Sequence, residues 1–202
     1  EKDLKITPDK LNAGEKKFVQ DCANYFKDNA KFKDYEIYLM RNVETLKSIG
    51  IYLNDDSQVF YPDFILWMIK GDTININFID PKGQMGMQDT TTLSDNEKVK
   101  IADKRYNDTL VQLEKELSAT HKKKFILNSF LLLRDSSMLG FNKSEDWIKE
   151  NLIDKNIFRL NWHDTDEKDN IVNVEKLPES KNYMELIIEK TTRILKQKII
   201  SF

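Results

Sequence analysis

Phe60-Tyr61-Pro62-Asp63-Phe64-Ile65-Leu66-Trp67 and, after a short break, Ile76-Asn77-Phe78-Ile79-Asp80-Pro81-Lys82-Gly83 decide how this chain folds. Both stretches are apolar, aromatic-rich and of strand length, and Lys70-Gly71-Asp72 between them reads as a hairpin connection. Side chains alternate between the faces of a strand, so Asp80 and Lys82 share one side of the second strand. Asp63 lies within the first, and a hairpin brings all three together.

Outward from this hairpin, periodicity predicts the flanking elements. Asn12 opens a helix in which Leu11, Glu15, Phe18, Cys22 and Phe26 recur at steps of three or four. Glu36 to Asn42 reads as a first strand, and Ile49 to Leu53 as a short extension before the Asn54-Asp55-Asp56 turn. Gln84 to Asn96 reads as a loop. One helix is expected from the stripe Val99, Ala102, Tyr106, Leu110, Leu113 and Leu117. Phe125 to Leu133 is apolar at nearly every position, the pattern of a central strand buried on both faces and partly parallel to its neighbours.

The order helix, three strands, helix, strand implies an α/β fold with a mixed sheet flanked by helices. Beyond it, Ser144 to Leu152 reads as a capped short helix, Asn156 to Trp162 as a strand, Asp164 to Asn170 as a charged loop, and Tyr183 to Ile200 as a closing helix. A chain of 202 residues suits one sizeable core. The expectation is a single domain over 1–202, with its core at about 11–133 and a C-terminal extension at about 141–202.

Composition narrows the classes. The 32 basic and 34 acidic residues leave a formal net charge of -2, which argues against a wholly basic nucleic-acid binder but leaves room for a local binding face. The single cysteine, Cys22, excludes an internal disulfide and a multi-cysteine zinc site, and is expected in the core of a cytoplasmic protein. The longest apolar run, Phe64 to Ile69, is far short of the roughly 20 residues that span a bilayer. The start at Glu1 reads as a piece of something longer.

Asp63 and Asp80 are hard oxygen donors, and magnesium commonly takes one or two protein carboxylates while keeping several waters. Such a site suits hydrolysis of a phosphodiester, which needs an activated water and neutralised phosphate charge. Lys82 beside it would orient or help deprotonate the water, or stabilise charge in the transition state.

On these residues the chain resembles the PD-(D/E)XK nuclease superfamily, with Pro62-Asp63 as the first half of its signature and Asp80-Pro81-Lys82 as the second. More narrowly, Tyr38-Leu39-Met40-Arg41-Asn42, Phe60 to Trp67 and Phe78 to Gly83 look like the C-terminal endonuclease domain of type III restriction subunits and related helicase-nuclease proteins. The similarity runs from about Leu11 to Leu133. It implies a restriction-endonuclease-like α-β-β-β-α-β core, a DNA substrate and Mg2+, with Mn2+ as a substitute. It also implies a linked ATP-driven helicase region and a modification or specificity subunit. The chain has no GxxxxGK[ST] loop, so the motor would lie outside it.

In that superfamily a glutamate on the first helix often joins the metal site, and Glu15 stands at the matching place. Asn12 and Glu15 equally spell a capping box, which explains the glutamate without a metal. Arg41 suits a phosphate or an ion pair. Gln84, two residues past Lys82, and the run Lys122, Lys123 and Lys124 are further candidates for DNA contact, the run being equally a solvated edge. His121 and His163 lack metal-ligand spacing, and Trp67, Trp147 and Trp162 are expected to pack the core. The alternative to an enzyme is a nuclease-like fold that has lost cleavage and serves as a DNA-binding or assembly module.

Overall fold

Strand and helix patterns resolve into the following order in this computed structural model, which describes residues 11–27, 29–43, 48–52, 59–82, 97–103, 108–134, 144–160, 164–165, 171–173 and 182–197. They are α1 (Ala13–Phe26), β1 (Glu36–Arg41), β2 (Ile51–Tyr52), β3 (Val59–Phe60), β4 (Phe64–Lys70), β5 (Thr73–Lys82), α2 (Glu97–Ala102), α3 (Thr109–His121), β6 (Lys124–Arg134), α4 (Glu145–Asn151), β7 (Ile157–Leu160), β8 (Asp164–Thr165), β9 (Ile171–Asn173) and α5 (Tyr183–Gln197). Among the described residues no helix is long and apolar enough to cross a membrane.

Five strands form one mixed sheet in the order β1-β4-β5-β6-β7. β1, β4 and β5 are antiparallel neighbours, whereas β6 and β7 run parallel to β5. The central hairpin closes with Lys70 opposite Thr73 and Gly71 at φ +55. A side chain at Gly71 would meet nothing within 4 Å, so its cost is backbone strain alone. Gly71→Ala is therefore expected to lose about 1 kcal/mol, read as a lower urea midpoint at unchanged slope.

Alternation along β4, β5 and β6 sends apolar side chains to both faces. Phe64, Leu66, Ile79, Phe130 and Leu132 pack with Phe18, Val19 and Cys22 of α1 and with Tyr183, Met184, Ile187 and Ile188 of α5. On the other face Ile65, Phe78 and Leu127 meet Ile101 of α2 and Leu110 of α3, while Leu131 and Leu133 meet Val99 and the Leu152 region after α4. The segment beyond residue 133 thus supplies the edge strand β7 and two covering helices, α4 and α5. Trp67 and Trp147 pack against these clusters as expected, and Trp162 lies outside the described residues.

Polar groups also enter the core. Asn77 Oδ1 accepts a hydrogen bond from Asn128 Nδ2 at 3.1 Å and lies 2.9 Å from Thr191 Oγ1, tying β5, β6 and α5 together. Tyr183 donates to Asp21 Oδ2 at 2.7 Å, joining α5 to α1. Beside it Cys22 is buried as expected, and that burial, with the Asp21 charge adding to it, pushes the thiol from an ordinary 9.0 up to about 12. The fold thus favours the protonated thiol. Its contribution to stability is whole below pH 9 and is lost as the pH rises toward 12. Melting temperature is expected to fall over that window, and less steeply in Cys22→Ala.

Four expectations change. The segment from Ile49 is not part of the main sheet: β2 pairs with β3 as a separate two-stranded ribbon. Asp63 lies in a bend just before β4 rather than inside a strand, because Pro62 has no N–H to offer a ladder. The helical stripe from Val99 to Leu117 divides into α2 and α3, with Asp103 and Asp108 outside both helices. Aspartate competes with the helix for backbone groups, and the apolar stripe cannot distinguish one helix from two. Asp164 and Thr165 form β8, paired with β9, where a charged loop was expected; the ladder there depends on a partner six or more residues away. The Gln84–Asn96 stretch lies outside the described residues.

Candidate functional site at the open end of the β4–β5 ladder

The β4–β5 ladder pairs Phe64 with Ile79 and ends there, whereas β5 continues through Asp80, Pro81 and Lys82 beside β6, opposite Leu131, Leu132 and Leu133. From Asp80 onward β5 is therefore locally an edge. That is the position in a sheet where a proline, with no N–H for a ladder, is tolerated. Continuing the β4–β5 register by one residue sets Asp63 across from Asp80. The β1–β4 ladder does extend this far, since Asn42 N donates to Asp63 O at 2.8 Å.

Alternation puts both aspartates on the face that carries Ile65 and Phe78, the one covered by α2 and α3. Asp63 is half-buried and Asp80 is 1% exposed. Among the described residues no donor reaches Asp80 Oδ1 within hydrogen-bonding distance, although the residue has other interactions. Two adjacent carboxylates, one of them deeply buried, are a donor set that fits a hard divalent cation. Lys82 follows in the same strand with its backbone in register opposite Leu133. Its side chain, like the whole of Gln84 and His163, lies outside the described residues.

Glu15 is at the same end of the sheet but is approached from the other face. A Cβ on Gly14 would lie 3.7 Å from Pro81 O, so the first turn of α1 crosses the end of β5. Asn12 Oδ1 accepts from Glu15 N at 2.9 Å, and Glu15 Oε2 accepts from Asn12 N at 2.8 Å, a complete capping box. The same Oε2 pairs with Arg41 Nη2 at 3.2 Å, both side chains being largely buried. Among the described residues, no group of three or more His, Cys, Asp or Glu side chains is gathered as a metal cage. The register thus sets Asp63 across from Asp80, and Glu15 Oε2 is taken up by its own helix and Arg41.

The lysine run sits elsewhere. Lys124 opens β6 opposite Thr73, seven residues up β5 from Asp80. At a rise of about 3.3 Å per residue that is roughly 23 Å away. Lys122 and Lys123 are exposed at that far end, as is His121, whose ring lies 5.6 Å from Phe125. These lysines are not neighbours of the aspartate pair.

Two residues at the aspartate end escaped sequence reasoning. Asn42, 7% exposed, donates through Nδ2 to Pro62 O and Ile49 O, both at 2.9 Å, and accepts from Ile49 N at 2.9 Å. Asp103, 2% exposed, ends α2 with its N–H bonded to Val99 O at 3.1 Å. A lone asparagine at a strand end and a lone aspartate at a helix end carry no spacing signal, so only burial picks them out. No protein-family model, curated protein or solved structure matches this chain.

Proposed function

We propose that the chain is a magnesium-dependent deoxyribonuclease domain of restriction-endonuclease-like fold, hydrolysing phosphodiester bonds in DNA. The observation that carries this reading is the pair Asp63 and Asp80, set across from each other on one face where β4 and β5 part, with Lys82 two residues further along the same strand. The two carboxylates would hold the cation, with Mn2+ as a substitute for Mg2+. A bound divalent cation there supplies Lewis acidity toward a phosphate oxygen and lowers the pKa of a bound water.

The chain's own residues supply the rest. The Asp80 carboxylate, withdrawn from bulk water, presents its charge in a setting of low dielectric, where attraction to a cation is strong. Lys82, by its place in the strand, serves the attacking water or the charge that develops on the phosphate. Glu15 already spends its Oε2 on Asn12 and Arg41 and reaches this end from the other face, so the working donor set is the two aspartates. The resemblance extends the proposal to a cytoplasmic restriction or helicase-nuclease system with a motor and a specificity partner outside this chain. The engaged Glu15 favours one second reading, a DNA-binding or assembly module that does not cut.

Nicking of supercoiled plasmid tests the two. With Mg2+ or Mn2+ the parent is expected to nick, to stop in EDTA, and to lose activity as Lys82→Ala. A folded parent that binds plasmid and leaves it intact under both metals would favour the module.

A further inference from the structure

Resting on the reading that Asp63 and Asp80 hold a divalent cation, we infer that Asn42 is the residue that positions Asp63 for that cation. Asp63 is placed by a bend and not by the β4–β5 ladder, which stops one residue short of it. For the two carboxylates to hold one cation, that bend must keep Asp63 across from Asp80. Without a ladder partner on β5, the Pro62-Asp63 segment depends on its other hydrogen bonds for its place.

Asn42 supplies hydrogen bonds to the carbonyls of both peptides that flank the Asp63 Cα. Its backbone N–H binds Asp63 O at 2.8 Å and its side-chain amide binds Pro62 O at 2.9 Å. The second amide proton and the amide oxygen bind Ile49 O and Ile49 N, each at 2.9 Å. This use of two donors and one acceptor on a short side chain is specific to asparagine: serine has one donor, and aspartate has none when ionised.

The segment so captured lies tight against the same bend. A Cβ on Gly50 would stand 2.5 Å from Val59 Cγ1 and 2.8 Å from Tyr61 Cε1, so Gly50 allows residues 49–50 to press on Tyr61, directly before Pro62. Asn42 therefore joins three pieces of chain, the end of β1, the base of the β2–β3 ribbon and the Tyr61–Asp63 bend. It touches neither substrate nor cation in this account and acts through Asp63.

The test is calorimetric titration of Mn2+ into the full chain without DNA, for the parent, Asn42→Ala and Asn42→Ser, with Ile187→Val as a core variant on α5 away from the bend. The parent is expected to bind Mn2+, and the Asn42 variants to bind about 10–100-fold more weakly at unchanged stoichiometry, with Ile187→Val keeping the parent's affinity. Stoichiometry reports the folded fraction and the dissociation constant reports positioning. Variants that bind as tightly as the parent, or that lose only stoichiometry, would overturn the role of Asn42 and leave the cation reading standing. A folded parent that takes up no Mn2+ overturns the cation reading, and this inference with it.

Discussion

Asparagine in place of Asp80 is expected to remove most metal-dependent nicking while leaving the fold intact. The Asp80 side chain is 1% exposed and stands across from Asp63, where the proposed cation would be held. Asn has nearly the same shape and is a much weaker cation ligand than a carboxylate. The melting temperature of Asp80→Asn without metal should therefore stay close to the parent's. Cation-derived charge stabilisation is worth several kcal/mol in a transition state, and each 1.4 kcal/mol or so is tenfold in rate. Loss of the site should cut nicking by about 10²–10³-fold.

A linked measurement needs no activity. A ligand that binds only the folded state stabilises it by about 2.7 kcal/mol at a hundred times its dissociation constant. Saturating Mn2+ should raise the melting temperature of the parent and leave Asp80→Asn unmoved. Equal metal-induced shifts in the two proteins would remove Asp80 from the cation site.

Truncation of Phe18 is expected to have the largest effect on stability. Phe18 is wholly buried, its ring centroid is 5.2 Å from that of Phe64, and it belongs to the cluster that joins α1, α5 and the sheet. Phe18→Ala removes most of that side chain from a close-packed layer and leaves a cavity, a change that costs about 3–5 kcal/mol. Against a typical total of about 5–15 kcal/mol, the loss is a substantial part of the folding free energy. Urea unfolding should show a much lower midpoint with little change in slope. Because Phe64 directly follows Asp63, the same variant is expected to weaken Mn2+ binding beyond any loss of folded material. A midpoint within error of the parent would mean that α1 does not seal this face.

Local pattern carried a long way in this chain. The apolar runs around Asp63 and Asp80, with Gly71 between them, specify a hairpin from side-chain period and turn chemistry alone. The continuous apolar stretch Phe125 to Leu133 likewise announces a strand covered on both faces, and it lies in the sheet between β5 and β7. Asn12 and Glu15 spell their capping box three residues apart, so their pairing needs no distant partner.

What the sequence by itself determined was thus α1, β1, the β4–β5 hairpin, β6 and the strand positions of Asp80 and Lys82, because periods of 2 and 3.6 are written residue by residue. Only the tertiary structure decided what each charged group meets. Glu15 is held by Arg41, 26 residues away in sequence; Lys122 to Lys124 fall at the far end of the sheet; and Asn42 reaches back over the Pro62–Asp63 peptide. Those outcomes depend on strand register and on which helix crosses which strand end. Both are fixed by burying the whole core at once, a constraint that no local stretch of residues contains.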